Sequence, residues 1–387
     1  MRLPMDRDPR CPFDPPAGLR GLPPMARLEF SDGHLGWLAT TSEAARAVLS
    51  DPRFSARREL KHPAVRFTTP GAAGRPAPAG FFGAMDPPEH TRYRRLLTGQ
   101  FTLRRMRLLE PRIERVAADH LDAMAAAGPP ADLVSAYALP IPSVVICELL
   151  GVPYADHDFF QERSLRIVAP DGDVDGATAD LAGYLGELVR RKRSAPEDDL
   201  ISGLLGELPD EELVTVAMLL LVAGHETTAN MLALGVFALL EAGRAYEEGP
   251  NGTDTVEELL RWLSIVHLGA PSRAALEDVV VAGTPVGKGE TVALSLPMIN
   301  RDPAVFGDPD VLDPGRAEAR RHLSFGHGVH QCLGQQLARL ELRLGLRALF
   351  GRLPGLRLAV PAAEIPLKQH AAVYGVASLP VTWSQDR

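Results

Sequence analysis

Over most of this chain, apolar positions recur every three or four residues with polar positions between them, the spacing of amphipathic helices. The pattern predicts helices over 42–49, 87–98, 104–127, 139–150, 180–193, 197–205, 255–263 and 339–350. One stretch, 210–242, is apolar almost throughout and is long enough to mimic a bilayer span. Its middle, however, reads Gly224-His225-Glu226-Thr227-Thr228. A polar centre in an apolar helix predicts a helix threading a protein core past a reactive centre. Residues 279–294 alternate with glycine turns, as short strands do, and the tail returns to short strands. Residues 1–40 read as irregular chain and short strands, with the first 25 irregular. Residues 62–80 are rich in Pro, Gly and Ala without an apolar period, so a long loop is expected there, of the kind that forms lids and binding loops. There is no internal repeat and no strict strand–helix alternation. The fold class expected is mainly α with a small β-rich portion.

Composition narrows the reading. A net charge of −8 gives no reason to expect a nucleic-acid partner. The cysteines, Cys11, Cys147 and Cys332, are far apart and odd in number, which argues against a disulfide framework and suits a reducing cytoplasm. The N-terminus is polar and proline-rich, so neither a leader nor a membrane anchor is expected.

The densest chemistry lies in Phe325-Gly326-His327-Gly328-Val329-His330-Gln331-Cys332-Leu333-Gly334, directly before a helical run. N–H groups of an opening helix point at a thiol placed there, and the helix dipole favours a negative sulfur. Such a thiolate can be the axial ligand of a haem iron. Gly326 and Gly328 would let the backbone turn tightly and approach the sulfur. Three rival readings exist. Most lone cysteines are small buried hydrophobes. His327, His330 and Cys332 could ligate zinc, but their spacing fits no common structural zinc site and no second cysteine pair lies nearby. The glycine spacing is also wrong for a dinucleotide loop. In the long helix, the Thr227 hydroxyl can bond the carbonyl of Ala223, four residues back, and Gly224 weakens the helix at the same place. A groove in the helix is the expected result.

The pattern Phe-x-x-Gly-x-His-x-Cys-x-Gly resembles the cysteine loop of the cytochrome P-450 superfamily of haem-thiolate monooxygenases. Ala223-Gly224-His225-Glu226-Thr227-Thr228 resembles that family's oxygen-activation motif and is complete. The resemblance runs from Glu43 to Trp383. It implies one domain over residues 1–387, a triangular prism of helices around a buried haem b. Cys332 would hold the iron. Phe325, Gly326, Gly334 and Ala223 would lie against the macrocycle, and His90, Arg94, Arg273 and His330 would contact its propionates. Thr227 would donate toward dioxygen, and Glu226 would help relay the protons that its cleavage consumes. Glu258-Leu259-Leu260-Arg261 resembles the family's structural Glu-x-x-Arg pair, with Arg316 as the third member, although Asp313-Pro314-Gly315 before it departs from the usual pattern. Residues 243–254 also depart: the usual His-Pro is missing, so an irregular approach to Glu258 is expected.

The resemblance further implies insertion of one oxygen atom, as hydroxylation or epoxidation, into a lipophilic small molecule. Substrate contacts would come from Phe81 and Phe82 at the end of the long loop, Leu219 and Val222 on the long helix, Ala270 within 265–270 and Val373 within 373–374. The long loop suggests a bulky bacterial natural product, such as a macrolide, polyketide, terpenoid or peptide. Arginine-rich, Ala-, Gly- and Pro-rich composition suits a GC-rich genome such as an actinomycete's, and the resemblance implies a soluble, cytoplasmic member acting as a monomer. Electrons from NAD(P)H would arrive through a separate ferredoxin and ferredoxin reductase, docking on a basic face of Arg104, Arg105, Arg112, Arg339 and Arg343. The alternatives are a peroxide-driven or oxidative-coupling enzyme of the same fold, a haem-thiolate sensor or binding protein, and a zinc hydrolase.

Overall fold

The computed structural model describes residues 1–65, 74–168, 173–249 and 254–384. Part of the loop expected at 62–80, residues 66–73, and part of the departure at 243–254, residues 250–253, lie outside them. In chain order the helices are α1 (Ser42–Ser50), α2 (Glu89–Thr98), α3 (Leu103–Ala127), α4 (Pro140–Leu150), α5 (His157–Val168), α6 (Val174–Ser194), α7 (Leu200–Leu204), α8 (Asp210–Glu241), α9 (Asp254–Leu263), α10 (Leu296–Ile299) and α11 (Gln335–Arg352). The axis of the molecule is α8. Asp210, Glu211 and Glu212 in its first turn complement the helix dipole. Beyond them, apart from the polar centre His225–Thr228 and Asn230, it is apolar nearly all round, and it is sheathed by α4, α6 and α11. By length and composition it could cross a bilayer, but 67% of its most apolar window is buried in the protein.

Strands form a minor layer. β1 (Met25–Glu29), β2 (Leu35–Ala39), β3 (Phe54–Ser55), β5 (Ser272–Ala275) and β8 (Thr291–Leu294) make a five-stranded sheet in the order β1-β2-β8-β5-β3. β2 and β8 run parallel, and the other neighbours antiparallel. β4 (Ala131–Asp132), β10 (Pro380–Thr382) and β9 (Arg357–Leu358) make a second, antiparallel sheet, and β6 (Val279–Val281) pairs with β7 (Thr284–Val286) as a hairpin.

The helices expected from periodicity are present, with shifted ends. α6 starts at Val174 rather than residue 180, because the Asp173 carboxylate accepts the Gly176 N–H and caps it there. The helix expected at 197–205 shrinks to α7, capped by Asp199 through the Ser202 N–H. α11 starts at Gln335, four residues before the expected Arg339. The sequence reading left α5 unassigned, and also missed a π-helical turn at Val134–Ala138.

Two adjacent carboxylates on α9 pin the cysteine loop to the rest of the fold. Glu258 and Arg261 are fully buried, and Nε and Nη2 of the guanidinium each donate to one carboxylate oxygen at 2.7 Å. Arg261 also donates to the carbonyls of Asn300, Pro309 and Val311, so all five of its N–H groups are used. Arg316 donates to Glu258 at 3.2 Å and to the carbonyls of Asp308 and Val311. Glu257, which the sequence reading passed over, accepts from Arg339 on α11 at 2.6 Å and meets His322 at 3.1 Å. Burial alone would raise the Glu257 carboxyl, but those two partners overcome it and hold it at about 2. Replacing Arg261 by Met leaves Glu258 short of its main counter-charge in a dry site. The expected cost is about 3–5 kcal/mol, read from the urea midpoint of the variant against the parent.

Candidate active site

Cys332 sits three residues before α11. The loop reaches it through Gly326 (φ +70°) and Gly328 (φ +71°), a conformation that glycine adopts without strain. At Gly328 a Cβ would also fall 2.5 Å from the Leu49 carbonyl oxygen of α1. The Cys332 N–H donates to the Phe325 carbonyl at 2.8 Å and closes the loop. Gly334 is different. Its φ is ordinary and no protein atom crowds its Cβ position, so any demand for glycine there comes from outside the polypeptide.

The Cys332 thiol is accessible, and the space it faces is an internal cavity of about 460 Å³. Burial pushes the thiol up; the N–H of Gly334, then Arg94, Arg339 and the N–H of Gln335, pull it down without prevailing. The helix terminus alone therefore does not make the thiolate. A metal cation bound at the sulfur would, since coordination deprotonates a thiol outright. Phe325 and Gly326 share the cavity wall, and Phe325 is braced from behind by Arg339, whose guanidinium carbon lies 4.5 Å from the ring centroid. His327 lies 3.4 Å from Arg46, and His330 stacks toward His90; with Cys332 they form no converging metal set among the described residues.

One edge of the cavity is basic. His90, Arg94, Arg273 and His330 all line it. The rings of His90 and His330 lie 4.0 Å apart, and Arg94 donates to the Gln331 carbonyl at 2.9 Å. Lys61, missed in the sequence, stands close enough to add its charge. Burial pushes His90 to about 4, His330 to about 3, Lys61 to about 8 and Arg273 to about 10; mutual repulsion adds to this at the two histidines and the lysine. The acid that acts on His90 and Arg273 is Asp86, and its oxygens are already taken by Ser55 Oγ and the Ala56 N–H; Lys61 also feels Glu59. The Nδ1 of His90 is buried without a partner. The edge is short of negative charge, and a ligand carrying two carboxylates, as haem does, fits it.

α8 supplies another wall. Ala223 is exposed in the middle of this buried helix, and the surface it shows belongs to the cavity. Thr227 Oγ1 donates to the Ala223 carbonyl at 2.7 Å as expected. The helix is nevertheless continuous from Asp210 to Glu241, so the hydroxyl bond forms without a break in it. Glu226 is 6% exposed, and its Oε1 lies 3.6 Å from Lys368 Nζ. Burial pushes its carboxyl up, against the pull of Lys368. His225 is buried, does not line the cavity, and is pushed by burial to about 4.

Of the expected substrate contacts, Phe82, Leu219 and Ala270 line the cavity; Phe81, Val222 and Val373 do not. Leu219, Ala223 and Thr227 follow one another at i, i+4, one helical face, whereas Val222 is rotated far off it. Val373 lies behind the wall, its backbone bridged to Val266, which does line it. Leu220, Met231 and Ile146 were missed and belong to the lining. The five arginines expected to form a docking face are mostly spent. Arg105 pairs with Asp198, Arg112 with Glu148, Arg339 with Glu257, and Arg343 with Glu110 and Glu248. Only Arg104 of the five is fully on the surface.

Comparison with known proteins agrees with this geometry. The Cytochrome P450 family model matches residues 252–367. The chain is similar to Cytochrome P450 105C1 of a Streptomyces species, 52% identical over 384 residues, with 96% of each chain covered. It is 48% identical over 397 residues to pentalenic acid synthase of Streptomyces avermitilis, covering 98% of this chain and 97% of that one. Among solved structures, CYP105P1 in complex with filipin I superposes with a TM-score of 0.88 at 39% identity, covering 100% of this chain and 99% of that one.

Glu341 on α11 is a further cavity-lining residue that the sequence did not suggest. It is buried, Oε1 has no partner, and burial pushes the carboxyl from 4.5 to about 8. Between those values the folded protein keeps a proton that the unfolded chain has released, so stability falls as pH rises through this window. Glu341→Gln keeps the shape without the titration. The variant's melting temperature is expected to exceed the parent's at pH 8, with the gap closing toward pH 4.5, as calorimetry across that range would measure.

Proposed function

The chain belongs to the cytochrome P450 family and is a haem-thiolate monooxygenase that needs dioxygen and electrons from redox partners; we propose that Cys332 is its thiolate and that its substrate is a lipophilic natural product. Residues 1–387 act as one domain. The observation that carries the reading is the cavity itself. It gathers one thiol, one carbonyl-bonded threonine and a basic edge, and its remaining lining is mostly apolar.

The haem, once bound, supplies the activation of dioxygen and the oxidising power. Cys332 would hold its iron, and His90, Arg94, Arg273 and His330 its propionates, regaining through that contact the charge that burial suppresses. Phe325, Gly326, Gly334 and Ala223 would lie on its faces. Thr227 and Glu226 manage protons: Thr227 Oγ1, now donating to a backbone carbonyl, can turn its O–H toward the cavity, and Glu226 supplies protons from behind it. Glu258, Arg261 and Arg316 hold the loop that presents Cys332.

Phe82, Leu219 and Ala270, with Leu220, Ile265 and Val266, offer a substrate only apolar surface, so shape and exclusion of water orient it. One relative is named for pentalenic acid, and another was solved with filipin I. Those two names support a natural-product substrate, and the reaction proposed here is hydroxylation or epoxidation of a terpenoid, polyketide, macrolide or peptide. Electrons come from a small iron–sulfur ferredoxin and its reductase, and the protein works in the cytoplasm as a monomer. Peroxide-driven and sensor readings leave the Glu226–Thr227 pair without a use.

The test is a titration of the purified ferric protein with natural-product scaffolds. A member of the substrate class is expected to shift the Soret band toward high spin, and a set of lipophilic scaffolds that leaves it unmoved counts against the substrate proposal. Cys332→Ser is expected to lose the long-wavelength Soret band of the reduced, carbon-monoxide-bound protein, and retention of that band would overturn the ligand assignment. Glu226→Gln is expected to lower product formation about 100-fold while leaving the substrate-induced shift unchanged, measured by product analysis beside the spectral titration.

A further inference from the structure

The stretch that joins α9 to β5 gives the cavity Ile265, Val266, Ala270 and Pro271. It is neither helix nor strand, and it turns through Ser264 (φ +45°) and Gly269 (φ +72°). With no ladder of its own, it takes its shape from its neighbours. The segment 371–374 is one of them. The Tyr374 N–H donates to the Ile265 carbonyl at 2.8 Å, Val373 bridges Val266, and His267 Nε2 donates to the Ala371 carbonyl at 3.0 Å.

That segment is irregular too, and the N-terminal residues hold it from behind. The Arg7 N–H donates to Gln369 Oε1 at 3.0 Å. The Arg7 guanidinium carbon stands 3.8 Å from the centroid of the Tyr374 ring, and the Tyr374 hydroxyl donates to the Pro12 carbonyl at 2.6 Å. Residues 1–14 thus form a strap that is tied on either side of Arg7. On one side Leu3 is buried with Leu19, Leu28, Phe30 and Leu38, and the Met1 carbonyl accepts the Glu29 N–H at 2.7 Å. On the other the Phe13 ring packs on Phe237 of α8 and Trp262 of α9, and its carbonyl accepts Arg301 Nη2 at 3.1 Å.

An arginine costs stability at this place. Arg7 is 3% exposed, and its Nε and Nη2 are buried without partners. Nη1 reaches the Pro12 carbonyl only at 3.5 Å. Burial lowers the guanidinium to about 10, against the pull of Tyr374 and Asp14. An apolar side chain of similar length would pack there without that penalty. What the guanidinium adds is direction, because a cation is drawn to the face of an aromatic ring and so fixes how the ring stands. His267, whose ring lies 5.4 Å from that of Tyr374, is pushed by burial to about 4 and is neutral, so Arg7 is the charge that acts on the tyrosine.

We propose that Arg7 is a positioning residue for substrate selection: by clamping Tyr374 it fixes the wall formed by residues 265–271, and with it the shapes that the cavity accepts. The inference rests on the reading that the cavity takes an apolar substrate by shape.

The experiment uses the full-length, haem-loaded protein and three variants, Arg7→Met, Arg7→Lys and Tyr374→Phe. Imidazole and the positional isomers of biphenylyl-imidazole are titrated against the ferric Soret band, which moves when an azole nitrogen takes the iron. Imidazole is too small to press on the wall and reports the haem site alone. The isomers share one composition and differ in shape. In Arg7→Met the ratio of affinities between the best and worst isomer is expected to narrow about tenfold. Its imidazole affinity should be unchanged, and its melting temperature equal to the parent's or higher. Arg7→Lys, which keeps a cation over the ring, should hold the parent's ratio. Tyr374→Phe, which gives up the bond to Pro12, should narrow it as Arg7→Met does. A lower melting temperature in Arg7→Met with the isomer ratio unmoved marks a merely structural arginine and overturns the proposal. Narrowing in Tyr374→Phe alone overturns it as well. A parent protein that binds imidazole but does not tell the isomers apart sinks the underlying reading of recognition by shape instead.

Discussion

The structure depends on neutralising two neighbouring buried carboxylates. Glu257 and Glu258 leave α9 side by side and are both removed from water. A lone buried charge would be ruinous, so each must find cations and keep them. Glu258 takes Arg261 and Arg316, and with them the backbone carbonyls of residues 300–311. Glu257 takes Arg339 from α11 and His322 from just before the cysteine loop. The loop carrying Cys332 is thus gripped at both ends by one turn of one helix. Its position follows from charges that have nowhere else to go, which is a stiffer constraint than apolar packing supplies. The same Arg339 braces Phe325 at the cavity wall, so the framework and the site share a residue.

α8 shows how one helix can serve core and chemistry together. Successive side chains on a helix turn by about 100°. His225 therefore enters the core and is kept neutral, Glu226 reaches the C-terminal segment and its lysine, and Thr227 faces the cavity. The apolar surroundings make each of these groups sensitive to its neighbours. Burial raises Glu226 and Glu341, lowers His90 and His330, and leaves the basic edge with less charge than its composition offers. A site of this kind is under-neutralised as a polypeptide. A ligand bringing a cation to the sulfur and carboxylates to the basic edge would complete it.

Much of this was legible in the chain. The Phe325–Gly334 motif placed the thiol ahead of a helix, and periodicity found α8 with its polar centre. The spacing of Thr227 from Ala223 sufficed to anticipate their hydrogen bond, because i to i+4 geometry is local. His90, Arg94, Arg273 and His330 were also named in advance, and they meet at one edge although 240 residues separate the first from the last. That expectation came from family resemblance, since nothing in their local sequence says they converge. Local reasoning failed where a third element decided the outcome. Val222 looked apolar and close to Thr227, but helical phase turns it off the cavity face. The arginines of the expected docking face were counted as free, and four of them had acids waiting on other elements: three on other helices and Asp198 in the turn before α7.

The sequence by itself determined the local devices: the glycine turns around Cys332, the threonine bonded back on its own helix, and the apolar length of α8. These depend on residues within one or two turns of each other, where chain geometry leaves few choices. Only the tertiary structure decided which charges are buried and what answers them. That Glu257 meets Arg339, that a lysine from the C-terminal segment answers Glu226, and that Glu341 keeps an unpartnered oxygen have no signal in the local sequence. Their character comes from desolvation, and desolvation is set by the whole packed molecule.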